Sequence, residues 1–261
     1  MTSLARRHRA RMAAAALTAS TPSNTAPPMD PNADGFAEYN QLLVVLHDNL
    51  RAISDVQSIE ARLPLKREFL PTFAPWVTGV LAAGDEGQAM QDEIVAWMFV
   101  WLCDLGEWDG AFTLANHILK FGLTMPDRWQ RPDRKTNPGT FLADCMGDQA
   151  KADANAIPAS EFFTALTLLD HHKADMPDQA RAKLHRALGL VLAAEAEGYD
   201  AEDENVAGLL PALLTDAVDH MKRAVKLDQN VGIKKQLQAA EKALAKFTAA
   251  KPAPDPAQNE E

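Results

Sequence analysis

The sequence lacks the motifs on which nucleotide chemistry and hydrolysis commonly depend. It contains no Gly-x-x-x-x-Gly-Lys-Ser/Thr, no Gly-x-Gly-x-x-Gly and no Gly-x-Ser-x-Gly. The first of these motifs cradles the phosphates of a nucleotide, the second binds a dinucleotide, and the third presents a serine nucleophile. The chain is therefore not predicted to be an ATP-driven motor.

Cysteine and long apolar runs are also scarce. The two cysteines, Cys103 and Cys145, are too few for a disulfide framework, and no Cys-x-x-Cys pair is present to bind zinc. The longest apolar run, Ile94–Cys103, is about half of the roughly 20 residues that cross a bilayer. The basic N-terminus followed by Met12–Leu17 superficially resembles a secretory signal, but its central part is too weakly apolar. We expect a soluble intracellular protein with reduced thiols and no membrane partner.

Alanine, leucine and charged residues dominate, while runs of β-branched residues are few, so the composition favours helices. From about Phe36, apolar residues recur every three or four positions, as on one face of a helix: Tyr39, Leu43, Leu46, Leu50 and Ile53. Residues 88–104 are apolar on nearly all sides and are predicted to form a buried helix whose tryptophans belong to the core. No segment alternates as a strand does. We predict an all-α fold.

Prolines and glycines mark the expected helix ends. Pro64, Pro71 and Pro75 are predicted to interrupt the chain before a short helix that Gly84 ends. After the turn at residues 105–108, a further helix is expected to end at Gly122 as its C-cap. Later, Asp175 is the predicted N-cap of a helix with Pro177 in its first turn. The two helical hairpins that result have tetratricopeptide-like spacing.

These patterns predict five regions. Residues 1–19 form a flexible basic N-terminal arm, and residues 20–35 are a linker rich in proline and asparagine. Residues 36–145 form a helical core with a tryptophan-rich hairpin, and residues 146–247 form a second helical hairpin region. Residues 248–261, rich in proline and acidic at the end, form a disordered tail.

Positive charge is concentrated at the N-terminus of an acidic chain. The net charge is −10, yet Met1–Met29 contains four arginines and no aspartate or glutamate. Four arginines within one or two helical turns are expected to contact backbone phosphates of nucleic acid: Arg6, Arg7, Arg9 and Arg11. A merely solvated terminus is the alternative.

A second basic stretch interleaves an aromatic residue with cations, a composition that nucleic acid or a protein partner could recognise. Its members are Lys120, Arg128, Trp129, Arg131, Arg134 and Lys135.

The sequence gives only weak evidence for a metal-binding site. Asp92 and Glu93 are adjacent on a helix and therefore point in different directions. Asp127 followed by Asp133-Arg134-Lys135 loosely matches a nuclease signature, but that chemistry needs neighbouring strands. His171 and His172 follow an apolar helix at its expected C-terminus. We predict no cofactor, with Mg²⁺ required only if the chain is itself a nuclease.

Several segments, taken in order, resemble the small terminase subunit, also called the terminase endonuclease subunit, of peduovirus-type tailed phages. They are the opening Met1-Thr2-Ser3 with Arg6-Arg7-His8, Leu70-Pro71 with Pro75-Trp76-Val77, Leu119–Pro126, Asp175–Asp178 with Arg181–His185, and Arg223-Ala224 with Lys234-Lys235. The resemblance runs from the first residue to about Glu241.

The resemblance implies double-stranded phage DNA with cohesive ends, a terminase large subunit and further copies of the chain as partners, in the cytoplasm of the host bacterium. We expect the large subunit to supply the ATPase and the DNA cleavage. In this chain, we expect the arm to contact phosphates and the loop from Arg128 to Lys135 to read the DNA site. We expect the C-terminal helices or tail to contact the large subunit.

Two alternatives stay open. The chain could be a metal-dependent endonuclease using carboxylates near Asp92 or Asp127, or a tetratricopeptide-like adaptor that binds only protein.

Overall fold

A computed structural model describes residues 25–32, 35–131, 134–200 and 208–249. The predicted basic arm and the tail beyond residue 249 lie outside the described residues, as do parts of the predicted linker. In the described chain the helices are α1 (Phe36–Asp55), α2 (Ile59–Asp85), α3 (Glu93–Leu105), α4 (Trp108–Phe121), α5 (Pro138–Ala152), α6 (Ala159–His171), α7 (Asp178–Glu197), α8 (Leu209–Leu227) and α9 (Lys234–Ala249).

The prediction of an all-α fold is confirmed. The strands found among the described residues are the two-residue β1 (Gln130–Arg131) and β2 (Arg134–Lys135), which pair antiparallel. Across the same residues, no helix combines the length and the apolar character needed to cross a membrane.

The chain divides into two compact units. Among the described residues, those up to Met146 and Phe163–Met176 form the first unit, and Gly147–Phe162 and those from Pro177 onward form the second. The boundaries fall within α5 and α6, so each of these helices contributes to both units.

The core of the first unit surrounds α3, which contacts α1, α2 and α4. Every residue of α3 from Ile94 to Trp101 is buried, as the apolar pattern predicted. The predicted start of this helix at Gln88 is wrong, because α3 begins at Glu93. Asp92 is the N-cap, and its carboxylate accepts a hydrogen bond of 2.9 Å from the backbone N–H of Val95, so the helix starts where a cap can satisfy a free amide.

The predicted interruption by prolines is also wrong, since α2 runs unbroken through Pro64, Pro71 and Pro75. Their spacings of seven and four residues place all three on one face, and each is exposed. Carbonyl groups freed by a proline on an exposed face can bond to water. The opposite side of α2 is held by Phe73, which is fully buried against Trp101 with the two ring centroids 6.0 Å apart. Tertiary packing therefore overrides the local signal.

The predicted C-cap at Gly122 is confirmed. α4 ends at Phe121, and Gly122 follows in the left-handed conformation with φ 64° and ψ 42°. Glycine adopts this conformation without the steric cost that a Cβ brings.

The second unit is built on α7, α8 and α9, with α8 packed against both of the others. α7 begins at Asp178 with Pro177 at its N-cap, so the prediction of Asp175 as the cap is wrong. The residue before a proline disfavours the helical region, and Met176 therefore cannot open the helix. Buried residues of α8 and α9 form the core of the unit: Val218, Met221 and Ala240, together with Ile233 just before α9.

Candidate nucleic-acid interface

The clearest basic feature of the first unit is Arg128 on a short 3₁₀ turn, Asp127–Trp129, that follows Pro126. The side chain of Arg128 is exposed, and its guanidinium carbon lies 4.6 Å from the ring centroid of Trp129 and 5.9 Å from that of Trp97. A planar guanidinium over an aromatic face is attracted by the ring and loses conformational freedom. The protein therefore presents this cation to solvent in a restricted position.

Trp129 anchors the turn to the core. Its ring centroid lies 5.3 Å from that of Trp97 and 5.3 Å from that of Phe141, both in edge-to-face geometry. Edge-to-face pairs of this kind stabilise packing beyond the area they bury. The structure thus gives Trp129 a packing role, and base stacking by this residue stays a prediction.

The β1–β2 hairpin follows directly from this anchor. Its register pairs Gln130 with Lys135 and Arg131 with Arg134, and the N–H of Thr136 donates to the carbonyl of Trp129 at 3.0 Å. The backbone of the hairpin therefore brings three of the predicted basic residues together beside Arg128. The side chains of Arg131, Arg134 and Lys135 lie outside the described part of the chain.

Lys120 belongs to a helix and not to the turn that carries Arg128. It lies in the last turn of α4, where its ammonium donates to the carbonyl of Gly84 at 3.3 Å and sits 4.7 Å from the ring centroid of Phe121. The structure connects Lys120 to α2, and its role in DNA binding stays a prediction.

The arm with Arg6, Arg7, Arg9 and Arg11 lies outside the described residues, but the structure places the chain that follows it. The N–H of Ala26 donates to the carbonyl of Phe121 at 2.7 Å, and the N–H of Gln91 donates to the carbonyl of Pro27 at 2.7 Å. The described part of the predicted linker is therefore held at these residues beside the C-terminus of α4.

The carboxylates considered for a metal site meet at one small cavity. Asp92, Glu93 and Asp127 line a space of about 200 Å³ in the first unit. Asp92 is 4% exposed, and its second oxygen accepts a hydrogen bond of 2.8 Å from Trp76 Nε1. Burial raises the pKa of Asp92 above its usual value. Among the described residues, no group of three or more histidines, cysteines, aspartates or glutamates is arranged to hold a metal ion.

Glu93 and Tyr39, which lie beside Asp92, also form hydrogen bonds within the fold. Glu93 accepts a hydrogen bond of 3.2 Å from Trp97 Nε1, and its backbone N–H donates to the hydroxyl oxygen of Tyr39 at 3.1 Å. Burial raises the pKa of Tyr39 to about 12, so its hydroxyl stays protonated at neutral pH.

His171 and His172 do lie at the end of a helix, since α6 ends at His171. Nε2 of His172 lies 2.8 Å from the amide oxygen of Asn116 and donates to it. Burial lowers the pKa of His172 to about 4, so the ring is neutral at neutral pH. This contact accounts for His172 without a metal.

Comparison with known proteins decides the family. The chain matches the family described as phage small terminase subunit over residues 43–179, just over half of its length. It is 35% identical to the "Terminase, endonuclease subunit" of Escherichia phage P2 over 98% of this chain and 89% of the relative. The chain belongs to the phage small terminase subunit family. This confirms the resemblance to peduovirus-type phages, and a role in packaging phage DNA follows from it.

A second relative of this small terminase subunit extends the match to another phage. It is the "Probable terminase, endonuclease subunit" of Haemophilus phage HP1, 25% identical over 77% of this chain and 68% of the relative. No solved structure matches the chain, so the tetratricopeptide-like character of the terminase hairpins stays a prediction.

Proposed function

We propose that this small terminase subunit binds viral double-stranded DNA at the cohesive-end site and presents it, as a homo-oligomer in the host cytoplasm, to the large ATPase and nuclease subunit. The observation that carries the proposal is the exposed guanidinium of Arg128, held over Trp129 at the base of a hairpin that carries three further basic residues. These cations stand out on a chain of net charge −10.

Two kinds of contact to DNA have different roles in this proposal. Arginines of the N-terminal arm supply phosphate contacts, which position DNA and weaken with salt but carry no sequence information. Arg128 and the hairpin supply the contacts that distinguish one site from another, because an arginine in restricted geometry can form paired hydrogen bonds with a guanine edge. A guanidinium already ordered on Trp129 loses less conformational freedom when it binds.

The proposal is tested by fluorescence anisotropy of labelled cohesive-end and scrambled duplexes at several salt concentrations. Deleting residues 1–20 is expected to reduce the slope of log affinity against log salt by about three to four, one unit for each arginine. Arg128→Gln is expected to reduce the preference for the cohesive-end duplex by about tenfold. The matched control is Arg67→Gln, which removes the same charge from an exposed arginine of α2.

The roles proposed for the arm and for the hairpin can be contradicted independently. If the truncated protein binds as well as the whole chain, the arm is not the phosphate contact. If Arg128→Gln keeps the full preference while binding remains intact, the hairpin does not read the site. An absence of binding to either duplex at low salt would instead support the protein-binding adaptor.

An endonuclease activity of the chain itself is the second candidate. It is favoured by the names of both relatives and by the three carboxylates that line one cavity. Purified protein would be incubated with supercoiled DNA and Mg²⁺, and we expect no nicking, because both oxygens of Asp92 already accept hydrogen bonds. Nicking that Asp127→Asn abolishes, and that Asp109→Asn leaves intact, would establish the endonuclease instead.

A further inference from the structure

The C-terminal helices of the second unit carry an excess of positive charge on an acidic chain. Residues 208–249 contain seven basic residues and four acidic ones. All seven basic side chains are exposed: Lys222, Arg223, Lys226, Lys234, Lys235, Lys242 and Lys246. A local reversal of the overall charge is the electrostatic signature of a surface that meets a polyanion.

Three of these lysines form a line along α9. Lys242 follows Lys235 by seven residues and Lys246 follows Lys242 by four, and both spacings return to the same side of a helix. With a rise of 1.5 Å per residue, the three Cα atoms span about 16 Å along the helix axis. We call Lys235, Lys242 and Lys246 the α9 lysine row.

The opposite side of α9 is occupied by the core of the unit. Leu237, Ala240 and Leu244 pack against the buried residues of α8 and their neighbours. This packing fixes the orientation of the lysine row toward solvent. A lipid surface is a poor partner for the row, because an interfacial helix needs a free apolar face to insert.

The row carries uncompensated charge. The acidic residue of α9, Glu241, forms an ion pair of 3.0 Å with Lys222 of α8. Among the described residues, no carboxylate lies within 4.0 Å of the ammonium groups of the lysine row. Asp216 and Asp219 lie on α8, the helix whose Lys222 forms the ion pair with Glu241.

We propose that the α9 lysine row is a second phosphate-contacting surface for double-stranded DNA, separate from the arm and from the hairpin. Duplex DNA carries a negative charge every ~1.7 Å of its axis, so each of three ammonium groups spread over such a row can reach a phosphate. The contact is independent of base sequence. The inference rests on the proposed DNA-binding function and assigns it a surface in the second unit.

The test uses the full chain and a blunt duplex of mixed sequence. The triple variant Lys235→Gln, Lys242→Gln and Lys246→Gln keeps residues with good helix propensity while removing three charges. Its affinity is expected to fall by about 10- to 100-fold at physiological salt, and the salt slope by about two to three. The matched control, Arg51→Gln with Arg67→Gln and Lys151→Gln, removes three exposed charges elsewhere and is expected to change affinity less than about threefold.

The outcomes separate this inference from the proposed function. If the wild-type chain binds the duplex and the triple variant binds it no more weakly than the control, the row is not a DNA contact. If the wild-type chain binds no duplex even at low salt, the DNA-binding function itself fails. Thermal melting followed by circular dichroism tests whether each variant is folded. Each single Lys→Gln change is expected to lower the slope of log affinity against log salt by about one, which tests the contribution of each lysine without the combined substitution.

Discussion

Replacement of Trp101 by alanine is expected to lower the free energy of unfolding of the first unit by about 3–5 kcal/mol, the cost of emptying a fully buried aromatic site. Trp101 is 1% exposed at the centre of α3. Its ring meets Phe73 edge to face with centroids 6.0 Å apart and lies 6.4 Å from Phe69. Both phenylalanines belong to the proline-containing α2, so the indole is a central apolar contact between this helix and the core.

Urea unfolding followed by circular dichroism measures the effect, with the transition of each unit fitted separately. Ile59→Ala is the control, because Ile59 is 76% exposed and its truncation is expected to change stability by less than about 0.5 kcal/mol. Trp101→Phe keeps an aromatic ring in the site and is expected to lose less than alanine does. A loss below about 1 kcal/mol for Trp101→Ala would show that α2 does not depend on this contact.

Replacement of Gly189 by valine is expected to destabilise the second unit by about 3 kcal/mol, near the upper end of the cost of overpacking. A Cβ at Gly189 would lie 2.7 Å from Met221 Cγ, 3.0 Å from the carbonyl oxygen of Ala217 and 3.2 Å from the backbone nitrogen of Met221. Since two of these atoms belong to the backbone of α8, no change of rotamer relieves the clash, and α7 and α8 must move apart.

Gly79→Val is the matched control, because a Cβ at Gly79 of α2 meets no atom within 4 Å. It is expected to change the stability of the first unit by less than about 0.5 kcal/mol, since valine is a slightly better helix former than glycine. Equal effects of the two substitutions, measured by thermal unfolding, would mean that α7 and α8 do not approach each other at Gly189.

The candidate site was partly predictable from the sequence. The concentration of arginine and lysine between Arg128 and Lys135 was visible as composition, and the hairpin keeps these residues together. The association of Lys120 with the carbonyl of Gly84 was not visible, because it joins residues 36 positions apart. The α9 lysine row was missed for a different reason. Its spacing was available in the sequence, but an exposed charged face is the ordinary property of a surface helix until its neighbours and ion pairs are known.

The sequence by itself determined the helical class, the buried position of α3, the glycine that ends α4 and the terminase family, because each of these depends on residue types or on spacing within a short segment. The tertiary structure decided the rest. Pro64, Pro71 and Pro75 do not break α2, since packing on its other side outweighs a local preference. Asp92 serves as a cap and a partner for Trp76, and Trp129 as an anchor between Trp97 and Phe141. These roles depend on contacts between distant segments, which local patterns along the chain do not encode.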